Sequence, residues 1–359
     1  MIIIGCDLHS RFQQIAMLDS ETGEITERRL EHETGEARAF YAALRSRARV
    51  GMEATGYARW FERMLAEQGH ELWVGDAAAI RAARVRKQKT DARDALHLLD
   101  LLTGNRFPRI WISKPEDRDV WQLLRHRDKL VRWQTSVRNQ LHALAMGEGI
   151  CRRKKLWTER GREELEGLAL GEWATRRRKD LLERLDGLEP SIEELDQAVK
   201  QQAEQRPAAV RLMQQAGVGP VTSLAFVLMV GPVERFRRSR ELVSYVGLNP
   251  SEQSSGGKQR MGRISKQGNS LVRFLLLQAA QTASRTDEEL RRDYQRLVFR
   301  RGKAVAKVAI ARKLAVRLYW MLRGTGAPAD TADSHAGQPG VASGRACSTD
   351  AVIGRPASL

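Results

Sequence analysis

Cysteine is scarce in this sequence, and the few cysteines present indicate no covalent framework. Cys6, Cys151 and Cys347 are far apart and odd in number. Their spacing fits neither a zinc site nor a set of disulfides, which argues against a disulfide-stapled secreted domain and favours a reducing cytoplasm.

Long apolar runs are also missing. No run approaches the roughly 20 apolar residues that a membrane-spanning helix needs, so we expect no membrane partner. The short apolar run at residues 1–6 lacks a basic flank and a small-residue cleavage site. It therefore predicts a strand and not a signal peptide.

Acidic residues are outnumbered by basic ones. Of 359 residues, 61 are Lys or Arg and 44 are Asp or Glu, which gives a formal net charge of +17. This excess predicts a polyanionic partner, because neutralising phosphates releases condensed counterions. The charge is spread over short clusters, which fits a long nucleic-acid footprint better than one basic tail. The clusters lie at residues 81–89, 152–155, 176–179 and 235–240.

Residues 1–104 alternate strand and helix patterns. Three strand-like runs come first, and two strand–helix units and a last helix follow. This order is that of a ribonuclease-H-like sheet, so we predict an α/β domain here. The predicted strands are residues 2–8, 13–18, 25–30, 50–53 and 71–74, and the predicted helices are residues 36–44, 58–66, 77–86 and 91–102.

Two carboxylates lie three residues apart at the start of the last of these helices. Residues three apart share a helical face, which places Asp91 and Asp94 on the same side as Ala95, Leu98 and Leu102. Carboxylates that face a core need a counter-charge, and a divalent metal is one candidate. The alternative is that Asp91 is the helix N-cap and Asp94 a first-turn acid that the helix dipole favours.

Two further acids end predicted strands. Asp7 ends the first strand and Glu53 the fourth. Because ligands of open α/β sheets bind beyond the carboxyl ends of the strands, both can converge with the Asp91/Asp94 face. Four carboxylates suit Mg²⁺, and a two-metal site can stabilise both oxygens of a phosphoryl transfer. Strand-end acids also form simple turns, yet the four together favour a metal site.

Residues 105–206 have the pattern of long helices. Apolar residues recur at intervals of three, four and seven from Glu116 to Gly147, and again from Leu181 to Val199. Two such stretches predict an antiparallel coiled coil or dimerisation arm, and an ordinary helical bundle is the alternative.

The pattern of residues 207–323 predicts a mostly helical domain. The composition of residues 324–359 predicts a disordered tail. Gly217 and Gly219 before an apolar helix suggest a helix-hairpin-helix, in which backbone amides approach a phosphate. Any glycine-containing turn between helices can mimic this motif. The tail is rich in Gly, Ala, Ser, Pro and Thr. The helices predicted in the domain are residues 221–230, 241–247, 271–282 and 303–322.

A polar loop at residues 248–269 carries paired serines, Ser254 and Ser255, followed by paired glycines. Such a loop can wrap a phosphate and present a hydroxyl group to it. An ordinary loop does not need so many basic residues, so their presence favours a phosphate-binding loop. They are Lys258, Arg260, Arg263 and Lys266.

Five motifs together resemble the DEDD-type transposases of insertion sequences, the family of bridge-RNA-guided recombinases. The resemblance covers about residues 1–323. It implies an N-terminal ribonuclease-H-like (RuvC-like) α/β domain, helical coiled-coil arms, and a C-terminal, mostly helical transposase domain with a helix-hairpin-helix. The motifs are GCDLHS at residues 5–10, GMEATG at 51–56, KTDARDA at 89–95, AGVGPVTS at 216–223, and the serine block at 248–276.

The family's site residues carry over position by position. The resemblance implies that the nucleophile is Ser254, with Ser255 as the alternative, and that two Mg²⁺ ions occupy each active site. Many members of the family have Lys where this chain has Ser10, which leaves the acidic residues intact. The implied catalytic and metal-binding quartet is Asp7, Glu53, Asp91 and Asp94.

The implied activity is cutting and rejoining of DNA strands. Metals polarise the scissile phosphate, and Ser254 attacks it to give a phosphoserine-linked DNA end. The implied partners are double-stranded donor and target DNA, a non-coding guide RNA encoded by the element, and further copies of the chain in a dimer or tetramer. In the family the acids and the serine come from different protomers. A cytoplasmic, nucleoid-associated bacterial location is also implied.

Two other functions remain open from the residues alone. A Holliday-junction resolvase-like nuclease would cut with metal-activated water, and its serine loop would only bind phosphate. A non-catalytic nucleic-acid scaffold would need neither the acids nor Mg²⁺.

Overall fold

The computed structural model describes residues 1–84, 90–151, 155–252 and 260–324, and the chain divides into two compact units, residues 1–119 and 120–359. The first unit is mixed α/β. The described part of the second is helical with one two-stranded sheet. The fold is therefore α/β at the N-terminus and helical at the C-terminus, as predicted, and the predicted tail lies almost wholly outside the described residues.

The first unit contains a five-stranded sheet with the order β3-β2-β1-β4-β5. β1, β2 and β3 form an antiparallel meander, and β4 and β5 run parallel to β1. This order is consistent with the predicted ribonuclease-H-like sheet. The strands are β1 (Ile2–Leu8), β2 (Phe12–Asp19), β3 (Ile25–Glu31), β4 (Ala48–Glu53) and β5 (Glu71–Gly75).

Helices cover both faces of this sheet because alternate strand residues point to opposite sides. Ile4 and Cys6 of β1 pack in the core that contains side chains of α1 and α2. Gly5 points to the other face, where α4 lies, and Asp7 follows it in the same phase. The helices are α1 (Glu36–Ala42), α2 (Arg59–Glu67), α3 (Ala77–Ala82) and α4 (Asp91–Thr103).

α4 lies in close contact with the sheet above two glycines. A Cβ atom on Gly5 would lie 2.2 Å from the Ala95 carbonyl oxygen and 2.5 Å from the Leu99 amide nitrogen. A Cβ on Gly51 of β4 would meet the Leu102 side chain at 2.6 Å. Strand residues without side chains thus let the helix backbone rest against β1, which fixes the height of the first turn of α4 above the strand end.

One helix of the first unit is shorter than the sequence indicates. The predicted helix at residues 77–86 ends at Ala82. The Ala83 amide donates to the Ala79 carbonyl, and the chain then leaves the helix so that Arg84 reaches Asp94. Residues 85–89, which include the rest of that prediction, lie outside the described residues.

The second unit contains two long helices that pack side by side. The Arg127 side chain bonds Asp196, and Arg138 bonds Glu189, so the partners run in opposite directions along the chain. Leucines from both helices form a buried cluster between them. The helices are α5 (Pro115–Gly147), which starts in the last residues of the first unit, α6 (Glu159–Glu166) and α7 (Glu172–Glu204).

The remaining helices of the second unit surround its largest core. The Tyr319 hydroxyl, fully buried there, donates to the Phe236 carbonyl at 3.0 Å. α12 begins fifteen residues before the predicted helix at 303–322 and breaks at Gly302, whose φ is 80°. The elements are α8 (Pro207–Met213), α9 (Pro220–Val230), α10 (Ser239–Val246), β6 (Pro250–Glu252), β7 (Met261–Ile264), α11 (Ser270–Thr286) and α12 (Glu288–Arg323).

The described cysteines are free thiols. Cys6 is buried and Cys151 is exposed. Burial raises the pKa of the Cys6 thiol, so this residue serves as a small apolar core residue. In the described part of the chain, no helix combines the length and apolarity needed to cross a membrane. Cys347 lies outside the described residues.

Gly5→Ala is expected to lower the free energy of unfolding by about 1–3 kcal/mol, because the new methyl group meets helix backbone that no side-chain rotation can move. Gly56→Ala is the matched control, since a Cβ there meets no atom within 4 Å and its φ is not positive. Urea denaturation of both variants checks this. Equal stability of the two would show that α4 is not held down over Gly5.

Candidate metal centre

Three side chains converge where β1 ends and α4 begins. One ligand atom from each of Asp7, His9 and Asp91 lies within 4.8 Å of the others. The His9 Nε2 atom is 3.1 Å from Asp7 Oδ2 and 3.6 Å from Asp91 Oδ1. Carboxylate oxygens and an imidazole nitrogen at this spacing fit a divalent cation. The structure thus brings together two of the four predicted acids.

Local structure explains why Asp91 reaches this point. Thr90 is the N-cap of α4, and its hydroxyl accepts from the Arg93 amide at 3.3 Å. The alternative that Asp91 itself is the N-cap is therefore wrong. Asp91 is the first helical residue, and its side chain, 47 % exposed, stays near the strand end.

Negative charge is concentrated around Asp7. Burial raises the pKa of the Asp7 carboxyl, His9 lowers it, and the nearby Asp94 and Asp91 raise it further. The net result is a pKa above the ordinary value, which means that the ionised form lacks enough positive charge around it. A divalent cation among these oxygens would supply that charge.

Asp94 has a different environment. It is buried, with 8 % of its surface exposed, and its Oδ1 atom lies 2.8 Å from an Arg84 guanidinium nitrogen. The counter-charge that a carboxylate on this face requires is thus supplied by an arginine of the chain itself. The Arg84 Nε atom is buried without a hydrogen-bond partner in the described structure, so this guanidinium is incompletely satisfied.

Glu53 lies beside Asp7 on the neighbouring strand. Cys6 pairs with Met52 in the parallel β1/β4 register, so the next residues, Asp7 and Glu53, lie side by side at the carboxyl ends of the two strands. Glu53 is exposed, and it is not among the three residues of the cluster. The Tyr57 hydroxyl donates to the Leu8 carbonyl at 3.0 Å and ties the loop after Glu53 to the end of β1.

His9 was not predicted as a site residue. A tight turn between β1 and β2 holds it, in which the His9 amide donates to the Phe12 carbonyl at 2.9 Å. The imidazole also stacks on the Phe12 ring, with centroids 4.6 Å apart. The signal was present in GCDLHS, since a histidine two residues after a strand-end aspartate projects from the same side of an extended chain.

The predicted nucleophile lies outside the described residues. Ser254 and Ser255 fall within 253–259, whereas the rest of the serine block, including β6, β7 and the start of α11, is described. Glu252 of β6 pairs with Met261 of β7, so the two described ends of this segment lie next to each other.

The predicted helix-hairpin-helix contains a glycine with a packing role. Gly217 has a φ of 82°, and a Cβ there would lie 2.5 Å from the Ala279 carbonyl oxygen of α11. The close approach of the turn between α8 and α9 to α11 thus requires this glycine whether or not a phosphate binds. Gly219 is the N-cap of α9, and a Cβ there would meet nothing within 4 Å.

The sheet order, with carboxylates at the ends of neighbouring strands and on the helix above them, is consistent with the metal-dependent enzymes that cut nucleic acid on a RuvC-like fold. Comparison with known families agrees. A model of DEDD transposases of the IS110 type matches residues 4–147, and a model described as "Transposase IS116/IS110/IS902 family" matches residues 209–295. The chain belongs to the DEDD-type transposases of insertion sequences, and it is a DNA transposase.

Individual transposases are similar over most of their length. A Pseudomonas aeruginosa protein described as "Probable family 20 transposase" is 29% identical over 334 residues, which cover 89% of this chain and 96% of that protein. The transposase for insertion sequence element IS1111A of Coxiella burnetii is 28% identical and covers 89% of each chain. The transposase for insertion sequence element IS1328 of Yersinia enterocolitica is 28% identical over 76% of this chain and 83% of its own.

Arg84→Ala is expected to lower the free energy of unfolding by about 1–3 kcal/mol, because it removes the guanidinium from a buried carboxylate. Added Mg²⁺ should raise the melting temperature of this variant more than that of the unaltered chain, since a cation can replace the lost charge. Thermal melts with and without Mg²⁺ measure both effects.

The control for Arg84→Ala is Arg106→Ala. Arg106 pairs with Asp100 at the far end of the same helix, but both side chains are more than 60 % exposed, so about 1 kcal/mol or less should be lost. An equal response of both variants to Mg²⁺ would contradict a metal position at Asp94.

His9→Ala is expected to weaken Mn²⁺ binding by about tenfold, because it removes the nitrogen donor beside Asp7 and Asp91. Isothermal titration and the Mn²⁺ electron paramagnetic resonance spectrum report this in the absence of DNA. His126→Ala, at an exposed position on α5, is the control for nonspecific loss of a histidine. Unchanged Mn²⁺ affinity in His9→Ala would exclude the imidazole as a ligand.

Proposed function

We propose that this transposase cuts and rejoins DNA strands through a metal-assisted serine nucleophile and is guided by an RNA that its element encodes. The observation that carries the proposal is the convergence of Asp7, His9 and Asp91 in a chain that belongs to the DEDD family. Carboxylates that gather at one edge of a sheet have a clear use in phosphoryl transfer, where charge develops on the phosphate oxygens.

Asp7, Glu53, Asp91 and Asp94 would hold the metal, which we take to be two Mg²⁺ ions. Bound there, they would neutralise charge on the scissile phosphate and lower the pKa of an attacking hydroxyl group. Asp7 and Asp91 support this role by their distance, and Glu53 by its register beside Asp7. Asp94 would join when its bond to Arg84 is exchanged for the cation.

Ser254 would be the nucleophile, with Ser255 as the alternative. Its Oγ attacks the scissile phosphorus, the new P–Oγ bond forms as the bond to the leaving deoxyribose oxygen breaks, and the serine proton passes to a base. Attack by the oxygen of another DNA end reverses these bonds and releases the serine. Each step exchanges one phosphodiester for another, so no external energy source is consumed.

The partners would be duplex donor and target DNA, a guide RNA and other copies of the chain. The formal charge of +17 supports nucleic-acid partners. A guide RNA would supply sequence specificity by base pairing. Gly219 at the start of α9 would give backbone amides access to phosphate in a helix-hairpin-helix.

α5 and α7 would act as coiled-coil arms between protomers. They already pack on each other within the chain through ion pairs and a leucine cluster. Each also retains an exposed tryptophan, with Trp133 49 % and Trp173 79 % exposed, which leaves apolar surface for a second copy. Protomers joined in this way could supply the acids and the serine of one active site from different chains.

The deciding experiment is purification from cells that transcribe the native element, followed by sequencing of bound RNA and a denaturing-gel assay for a protein–DNA adduct with Mg²⁺. A discrete element RNA is expected, with an adduct that Ser254→Ala or Ser255→Ala abolishes. Asp7→Asn should abolish the adduct as well. Asp100→Asn, which alters an exposed acid of α4 that pairs with Arg106, should retain it.

Two results would overturn the proposal. Mg²⁺-dependent cutting that survives the loss of both serines would identify a resolvase-like nuclease. Retention of the adduct in Asp7→Asn would remove the acids from the chemistry.

A further inference from the structure

The most exposed large apolar side chain in the described structure lies at a break in α12. Phe299 is 93 % exposed, and residues 299–305 form an uninterrupted exposed stretch. Gly302 at its centre has φ 80° and ψ 163°, which interrupts the helix. A Cβ on Gly302 would meet no atom within 4 Å, so its positive φ, and not lack of space, favours glycine there.

This stretch is the tip of a helical hairpin. The two arms of α12, residues 288–301 and 303–323, are joined by ion pairs that lie at similar distances in sequence from Gly302. Arg317 bonds Asp287, each fifteen residues from Gly302, and Arg317 also bonds Glu289. Lys313 bonds Asp293 nearer to the tip. The arms therefore run antiparallel, and residues 299–305 (the tip) project at their turn.

The arms are anchored below the tip. Ile310 and Leu314 of the second arm are fully buried in the core of the second unit, and Leu290 of the first arm is buried there too. Phe299 and Val305, 53 % exposed, lie at equivalent distances from Gly302 on the two arms. The apolar surface at the tip is thus carried by a rigid support and contributes nothing to the core.

Positive charge surrounds this apolar surface. The tip contains Arg300, Arg301 and Lys303, all exposed. None of the three forms an ion pair within residues 1–84, 90–151, 155–252 and 260–324. An aromatic ring among free cations has the chemistry that stacks on a nucleobase while the cations contact the adjacent phosphates.

We propose that the tip binds an unpaired nucleobase, with the Phe299 ring stacked on the base and Arg300, Arg301 and Lys303 on the flanking phosphates. A fully paired duplex exposes a base face only when a base step is unstacked, which costs stacking free energy, so the preferred ligand is a bulge, junction or single-stranded segment of DNA or RNA. This inference rests on the proposed function only in that the chain handles nucleic acid.

A symmetric contact between two copies fits the tip less well. It would place two sets of the same three cations against each other, and like charges at an interface oppose association. A polyanion instead matches both the local cations and the net charge of the whole chain.

The test compares binding of the full chain to a fully paired duplex and to the same duplex with a central bulge that carries 2-aminopurine, with a matched bulged RNA as a second probe. Phe299→Ala is expected to lower the ratio of bulged to paired affinity by about tenfold. It should also abolish the quenching of the 2-aminopurine fluorescence. Phe299→Tyr should retain both, because it keeps a flat aromatic face. Phe299→Leu, which keeps only apolar bulk, should behave as Phe299→Ala.

A double variant, Arg300→Ala with Arg301→Ala, should weaken binding to paired and bulged DNA alike and reduce the slope of affinity against salt. All these side chains are exposed, so circular dichroism and the melting temperature should not change. The comparison of bulged DNA with bulged RNA shows which nucleic acid supplies the stacked base. A preference for either one supports the proposal.

Three outcomes would overturn it. They are equal affinity for bulged and paired nucleic acid, full activity of Phe299→Leu in the stacking assay, and dissociation of an oligomer by Phe299→Ala in sedimentation velocity. The serine adduct is measured separately. An adduct without a bulge preference would refute only the tip, and a Phe299-dependent bulge preference without an adduct would refute only the recombinase chemistry.

Discussion

The candidate metal centre depends on the close contact between α4 and β1 above Gly5. A helix backbone that approaches a strand to within the space of one missing methyl group has little freedom to shift. Thr90 fixes where the helix begins, and the strand register fixes where β1 ends. Together these contacts place the first turn of α4 over the carboxyl edge of the sheet, with Asp91 near Asp7.

Carboxylates brought together in this way repel one another, and other side chains of the protein partly compensate their charge. His9 lies between Asp7 and Asp91, and Arg84 neutralises the buried Asp94. Burial is the main cause that raises the pKa of Asp7, and the nearby Asp94 and Asp91 add to it while His9 opposes it. Under the proposed assignment, metal binding would exchange one counter-charge for another, and the metal affinity would depend on how easily Arg84 leaves Asp94 as well as on the ligands themselves.

Glycines serve two different physical purposes in this protein, and only their surroundings distinguish them. Gly5 and Gly217 allow two backbones to touch, whereas Gly302 has open space around it and supplies a positive φ at a helix break. A glycine-containing motif such as that at 217–219 therefore does not by itself indicate a phosphate site. The glycine at 302 says more about a candidate binding surface than the motif at 217–219 does, because it turns α12 into a hairpin with an exposed aromatic tip.

The sequence by itself determined the strands, most helices and their order, because alternation and helical periodicity are set by neighbours within a few residues. It also indicated Asp7 and Asp91, since strand ends and helix starts can be located from those patterns. Only the tertiary structure decided that His9 joins them, that Arg84 pairs with Asp94, and that the arms of α12 fold back at Gly302. These features depend on packing distances between residues far apart in the chain, and no local pattern encodes such distances.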